Sequence, residues 1–202
     1  MNKKVNICLM AIAIIGGIIY GIMRILNNDV YGFLICISII PVMLIPFLLK
    51  KFFYLKISNQ VETMYLIFVF FAHFLGSIVN FYDLIPGYDK IMHFISGMLS
   101  TFIGLLLLIK LKQYKKINVV FTIIFMIAVT LSIATLWEFY EFISDYIFSK
   151  DAQNVITTGV SDTMWDMLMA FLGAIVISSQ YWHEVKRKKE SIVIKFIKEA
   201  GA

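Results

Sequence analysis

Acidic and histidine side chains recur in three apolar stretches of this sequence, at spacings that could build a chemical site. The set consists of Asp89, His93, Glu138, Glu141, Asp162 and Asp166. Within each stretch the members lie three or four residues apart, which places them on one face of a helix. Ionisable groups in apolar surroundings are costly unless they are paired or hydrated, so the pattern indicates a site that faces the interior of a helix bundle.

The residue types in this set favour cation chemistry. Oxygen-rich ligand sets suit Mg²⁺, Mn²⁺ or Ca²⁺, and a single histidine shifts the preference towards a transition metal. We therefore predict that all six side chains are ligands of a divalent metal ion. The predicted catalytic residues are His93, Glu138, Glu141 and Asp166. Without a metal, the histidine and one glutamate could still act as an acid–base pair.

Several acidic and histidine residues also have structural interpretations. Asp162 could equally cap a helix and favour its positive end. Asp145 and Asp151 are interpreted as solvated charges of a helix end or a loop. His73 lies near the middle of an apolar stretch, where a hydrogen bond to a neighbouring helix is the favoured interpretation.

The elements that would position the site are membrane helices. Of the 202 residues, 60% are hydrophobic and the mean hydropathy is +0.86, against about 45–50% apolar residues in soluble domains. The net charge of +5 comes from lysines beside apolar stretches, where they meet lipid headgroups, and this distribution excludes a nucleic-acid partner. Cys8 and Cys36 match no metal or redox spacing and are predicted to be small buried hydrophobes.

Six apolar runs are long enough to cross a bilayer, which takes about 20 residues. The runs are 5–26, 30–49, 61–82, 91–111, 118–148 and 162–180. The sequence thus predicts an all-α fold, a polytopic transmembrane helical bundle in which 1–182 form a single transmembrane domain. The first run shows no convincing cleavage site and is predicted to be a retained helix, not a signal peptide.

Basic residues divide unequally between the two sides of the predicted membrane. One side carries Lys3, Lys4, Lys50, Lys51, Lys56, Lys110, Lys112, Lys115, Lys116, the run 186–189, Lys195 and Lys198, and the other carries Arg24, Lys90 and Lys150. By the positive-inside rule, both termini are predicted to be cytoplasmic in a multi-pass protein of the plasma membrane. The basic tail 183–202 is predicted to form either a helix on the inner leaflet or a solvated tail.

Depth counting brings the acidic and histidine set to one level. A rise of about 1.5 Å per residue carries the fifth run about 30 Å from Asn118 to Glu138, which is the thickness of the hydrocarbon core. The fourth and sixth runs begin on the same outer side, close to their own acidic residues. The sequence offers these acids almost no basic partner there, since Lys90, Lys150 and Arg24 are the only cations on that side. We therefore expect one outward-facing cavity that is lined by Asp89, His93, Glu138, Glu141 and Asp166.

Four motifs follow one another in the C-terminal half of the chain. Segment 87–97 contains Tyr-Asp with His four residues on, 137–141 contains Glu-x-x-Glu, 161–167 contains Asp-Thr-x-Trp-Asp-Met, and 170–174 reads Ala-Phe-Leu-Gly-Ala. In this order the motifs resemble the YjdF-like family of bacterial inner-membrane proteins. The resemblance implies a small bacterial polytopic protein of unassigned activity. The Asp-Lys-x-x-His step at 89–93 is also loosely similar to VanZ-like proteins, which implies the cell envelope.

Three functional hypotheses remain open at this point. The first is an enzyme whose metal ion acts on an envelope lipid or another phosphate-bearing substrate. The second is a small proton- or ion-coupled transporter, for which a homo-oligomer could supply further helices. The third is a non-catalytic envelope protein in which the acidic set only joins helix ends. Membrane lipids are the expected partners in all three.

The lysine asymmetry predicts the outcome of reporter fusions. A reporter fused after Gly87 or within 152–158 should appear outside the cell, and one fused after Tyr114 or at the C-terminus should appear inside. Alkaline phosphatase and fluorescent-protein activities provide the two readouts. A cytoplasmic signal from the 152–158 fusion would require a different number of spans.

Overall fold

The structure is a computed structural model that describes residues 3–52, 57, 59–187 and 192–201, and its regular elements are helices. In chain order these are α1 (Lys3–Leu26), α2 (Val30–Phe52), α3 (Asn59–Ile78, π-helical over Phe70–Ile78), α4 (Phe81–Leu84), α5 (Tyr88–Lys110), a 3₁₀ turn (Tyr114–Lys116), α6 (Val119–Phe148), α7 (Val155–Thr158), α8 (Ser161–Arg187) and α9 (Ile192–Ala200). Lys56, Lys188 and Lys189 of the predicted basic blocks lie outside the described residues.

Among the described residues, six helices are long and apolar enough to cross a membrane: α1, α2, α3, α5, α6 and α8. The predicted all-α bundle with its six spans is confirmed, and the side on which each terminus lies stays a prediction. The third run was expected to reach Tyr82, but α3 ends at Ile78. Asn80 explains the early end, because its φ of 74° is left-handed and breaks the helical path.

The chain divides into two compact units, Met1–Asp89 and Lys90–Ala202. The division falls in the first turn of α5, so the first unit holds α1 to α4 and the second holds the rest of α5 and α6 to α9. The expectation of a single transmembrane domain over 1–182 stays a prediction. Apart from Asp89, every predicted site residue belongs to the second unit.

The first unit packs around an apolar core that its three long helices supply. The buried members of this core are Ala13, Cys36, Ile39, Met43, Leu66, Val69, Phe74 and Ile78. Cys36 is buried as predicted. The prediction is wrong for Cys8, which is exposed on α1 among exposed isoleucines. A membrane helix can leave such a thiol outside the core because its surroundings are already apolar.

His73 lies in the π-helical part of α3 and is hydrogen-bonded to α2. Its Nε2 atom is 2.9 Å from Ser38 Oγ and 3.2 Å from the carbonyl oxygen of Ile35. The interpretation of His73 as a histidine bonded to a neighbouring helix is therefore confirmed.

Small residues let α5 and α8 approach each other closely in the second unit. A Cβ atom on Gly97 would collide with the backbone of Ala170, and one on Gly173 would collide with the carbonyl oxygen of Phe94. Lipid tails are as apolar as core side chains, so membrane helices associate largely through close packing of this kind. The crossing thus sets the separation of α5 and α8.

The basic tail folds back onto the second unit. Val193 and Ile197 of α9 are buried in a cluster that also contains Phe102, Leu105 and Tyr181. The backbone N–H of Ile194 donates a hydrogen bond of 2.8 Å to Glu184 Oε2, which holds the first turn of α9 on α8. The apolar face of α9 is therefore packed on protein, and its position at the inner leaflet stays a prediction.

The close crossing predicts a large effect from a single methyl group. Gly97→Ala should destabilise the protein by about 1–3 kcal/mol, because α5 and α8 must move apart to admit the Cβ atom. The measurement is the Tm of the purified protein in detergent. The control is Ile103→Ala, which changes a residue of the same helix that is 45% exposed. This substitution should change the Tm much less. Equal Tm values for Gly97→Ala and the wild type would contradict the crossing.

Candidate functional site

Three of the six predicted site residues form a compact group of potential metal ligands. Asp89 and His93 lie one turn apart at the start of α5, and Asp166 lies in the second turn of α8. One ligand atom of each lies within 4.8 Å of the others. The group is sheltered, since His93 is 8% exposed and Asp166 is 2% exposed. We call Asp89, His93 and Asp166 the ligand group.

The crossing of α5 and α8 explains why this group forms. Gly97 follows His93 by one helical turn, and Ala170 follows Asp166 by one turn. Because Gly97 and Ala170 are in close backbone contact, the preceding turns of the two helices also lie near each other. His93 Nε2 is consequently 3.7 Å from Asp166 Oδ1.

Lys90 is a functional candidate that the sequence analysis missed. Its Nζ atom lies 2.6 Å from Asp162 Oδ1 and 2.7 Å from Asp166 Oδ1, and its side chain is 27% exposed. Lys90 is one of the few cations that the sequence places on this side, but its pairing with Asp162 and Asp166 was not predicted. A signal was available, because Lys90 precedes His93 by three residues and so shares its helix face.

Asp162 takes part in this ion-pair network. Its Oδ1 atom accepts from Lys90, and its Oδ2 atom accepts from Asn154 Nδ2 at 2.8 Å. Both carboxylate oxygens thus bind side chains, which favours the site interpretation of Asp162 over helix capping. Its place in the first turn of α8 also puts the carboxylate near the positive end of the helix dipole.

Glu138 is buried in a second polar group that secures the loop between α6 and α8. Gln153 Nε2 donates to the backbone oxygen of Glu138 at 3.2 Å, to Glu138 Oε2 at 3.4 Å and to Thr163 Oγ1 at 3.3 Å. Asp145 accepts the backbone N–H groups of Ala152 at 2.7 Å and Gln153 at 3.0 Å. Asp145, near the end of α6, therefore anchors the loop through these two backbone amides.

Glu141 is not a member of the ligand group. Its Oε1 atom accepts a hydrogen bond of 3.0 Å from Trp137 Nε1, and Trp137 is 46% exposed. The buried residues of α6 recur every fourth position from Thr122 to Glu138, and Glu141 falls outside this stripe. The prediction that five side chains line one cavity stays a prediction. The side chains of Asp89, His93 and Asp166 meet, whereas the two glutamates bind partners on or next to α6.

The combined geometry at the start of α5 and α8 suits a cation. The carboxylates of Asp89, Asp162 and Asp166 outnumber the ammonium of Lys90 by three to one. The carboxylate oxygens and the nitrogen of His93 together form a ligand set of the kind that divalent cations take. The same arrangement could also move a proton between His93 and Asp166 or fasten α5 to α8.

Removal of Lys90 should reveal its coupling to Asp166. Lys90→Gln should cost about 2–4 kcal/mol of stability, because it leaves the buried Asp166 carboxylate without its ammonium partner. Adding Asp166→Asn to this variant should then cost less than Asp166→Asn costs in the wild type. Thermal unfolding in detergent measures both effects, with the exposed Lys150→Gln as a control. Simple additivity of the two substitutions would show that the ion pair contributes nothing to stability.

Comparisons with known proteins identify the family of this chain. A family model described as "Predicted membrane protein (DUF2238)" matches residues 5–187, which is the family that the YjdF-like resemblance indicated. An uncharacterized protein of Thermotoga maritima is 27% identical over 135 residues, which make up 66% of this chain and 67% of that protein. No solved structure matches the chain. With a match over nearly its whole length, the chain belongs to the DUF2238 family of predicted membrane proteins.

Proposed function

We propose that this membrane protein binds a divalent cation with Asp89, His93 and Asp166, and that the cation acts on a phosphate-bearing lipid of the envelope. The observation that carries the proposal is the convergence of three potential ligand atoms within 4.8 Å at one end of two spanning helices. A cation in this position would polarise a phosphoryl oxygen as a Lewis acid. The outer leaflet of the plasma membrane is the proposed location, following from the lysine asymmetry.

Lys90 places an ammonium group beside the proposed cation site. Asp166 Oδ1 lies close to both Lys90 Nζ and His93 Nε2, at 2.7 and 3.7 Å. A cation that binds Asp166 would therefore compete with Lys90 for this carboxylate. Lys90 would keep its contact with Asp162 and could turn its free N–H donors towards a phosphate, a role that suits a lysine point charge.

The remaining predicted residues fit supporting roles better than ligation. Asp162 holds Lys90 at 2.6 Å and thereby positions the ammonium. Glu138 is 5% exposed, and its Oε1 atom has no hydrogen-bond partner within the described part of the chain. This oxygen could accept a proton during the reaction, as a general base does. Glu141, bonded to Trp137, is proposed to stay outside the reaction.

A second candidate function rests on the Lys90 bridge. In it the protein is a non-catalytic membrane protein, and the network of Lys90, Asp162 and Asp166 only joins α5 to α8. A buried network of this kind is stable only when its members are paired. The two short contacts of Lys90 therefore favour this structural candidate. The two candidates differ in whether the ligand group binds a metal ion.

Metal analysis of the purified full chain tests the proposal. After incubation with Mn²⁺ and removal of free metal, the wild type should retain about one ion per chain, as expected for one cluster of oxygen and nitrogen ligands. His93→Ala and Asp166→Asn should each weaken Mn²⁺ binding at least about tenfold, because each removes a ligand. Mass spectrometry of the eluted protein gives the metal content.

Three matched variants serve as controls in the same assay. His183→Ala removes an exposed histidine near the opposite end of α8, and Asp83→Asn removes an exposed acid of α4. Both should bind Mn²⁺ like the wild type, and so should Glu138→Gln, since Glu138 lies outside the ligand group. If the wild type binds neither Mn²⁺ nor Zn²⁺, and Asp166→Asn only lowers the Tm, the structural candidate replaces the enzymatic one.

A further inference from the structure

A groove on the second unit lies between α6 and α8, well separated along α8 from Asp166 of the ligand group. Its volume is about 310 Å³, and its walls include Ile123, Ile127, Ile175, Ser178, Trp182 and His183. Three isoleucines form its apolar part. On α8 the lining residues become polar towards Trp182 and His183, which form the polar end of this wall beside the apolar α6 wall.

The wall of the groove contains a buried hydroxyl group, that of Ser178, which has no hydrogen-bond partner among the described residues. The Ser178 side chain is 4% exposed. Buried hydroxyls are almost always hydrogen-bonded, because an unpaired one retains the cost of losing water. Ser178 lines the groove, so an occupant with an acceptor oxygen at this point would satisfy the hydroxyl.

A cation lies beside the polar end. Lys186 Nζ is 4.2 Å from the centre of the Trp182 ring, and Arg187 ends the helix. An amphipathic tryptophan next to a basic side chain is typical of the boundary between lipid tails and headgroups. An anionic group would therefore be attracted to this end of the groove.

The groove also has a defined depth. α6 begins at Val119, one turn before Ile123, and α8 ends at Arg187, about one turn after Trp182. Since α6 and α8 are consecutive spans, the start of one and the end of the other lie at the same membrane boundary. By the lysine asymmetry this boundary faces the cytoplasm.

From these observations we infer that the groove binds one anionic glycerophospholipid of the cytoplasmic leaflet. An acyl chain lies along Ile123, Ile127 and Ile175, where it replaces the missing apolar neighbours. The ester oxygens of the glycerol backbone accept a hydrogen bond from Ser178. The phosphate lies near Lys186, with the indole N–H of Trp182 as a further donor.

Trp182 provides a local probe for this lipid. The chain has three tryptophans, so a background carrying Trp137→Phe and Trp165→Phe leaves Trp182 as the single fluorophore. The full chain is reconstituted in vesicles that mix brominated phosphatidylglycerol, or brominated phosphatidylcholine, with the unbrominated lipid. Quenching of Trp182 as a function of composition gives the relative affinity for the anionic and the zwitterionic lipid.

The expected result is a preference for phosphatidylglycerol that depends on the residues of the groove. Lys186→Gln should reduce this preference about fivefold, the effect of one basic charge near an anionic headgroup. Ser178→Ala should weaken quenching by both lipids several-fold, because it removes the donor to an ester oxygen that both lipids share. Lys110→Gln and Ser132→Ala are matched controls outside the groove and should match the parent.

Two outcomes would overturn the inference. Equal affinity of the parent for the two lipids would mean that the groove only contacts bulk lipid. A preference that survives Lys186→Gln, or quenching that Ser178→Ala leaves unchanged, would place the anionic lipid elsewhere. Circular dichroism of each variant confirms that the helices are intact, so that a loss of quenching is not a loss of fold.

Discussion

The close crossing of α5 and α8 is the constraint on which the candidate site depends. Gly97 and Gly173 have no side chains, and a Cβ atom at either position would collide with the opposite backbone. Only this small separation lets Lys90 and His93 on α5 reach Asp166 on α8. In a bilayer, where apolar burial does not draw helices together, such packing has to supply much of the association energy. The apolar crossing and the polar site are therefore one structural feature.

Burial of charge sets the energetic balance at this crossing. Asp166 is 2% exposed, so its ionised form needs a positive partner or a strong donor. Lys90 meets that need in the structure, and a metal ion could meet it instead. In the proposed metal site, a bound cation would compete with Lys90 for this carboxylate and would thereby link the stability of the helix pair to metal binding.

The polar residues of α6 and the following loop have different structural roles. Glu138 lies on the buried stripe of α6 and bonds Gln153, while Asp145 binds two backbone amides of the loop. Gln153 also reaches Thr163, next to Asp162 on α8. The loop is thereby held against the start of α8, which keeps Asp162 near Lys90. Acids that look equivalent in sequence thus act as ion-pair partner, loop anchor or surface residue.

The sequence by itself determined the membrane class, the helical fold and four of the six span positions closely, because hydropathy and helix length act locally. It also indicated the level at which Asp89, His93 and Asp166 lie, since depth follows from counting along each helix. The rotation of each helix about its axis and the choice of neighbours depend on packing. Only the tertiary structure therefore brought Asp89, His93 and Asp166 together without Glu141, paired Lys90 with Asp162 and Asp166, and folded α9 onto α8.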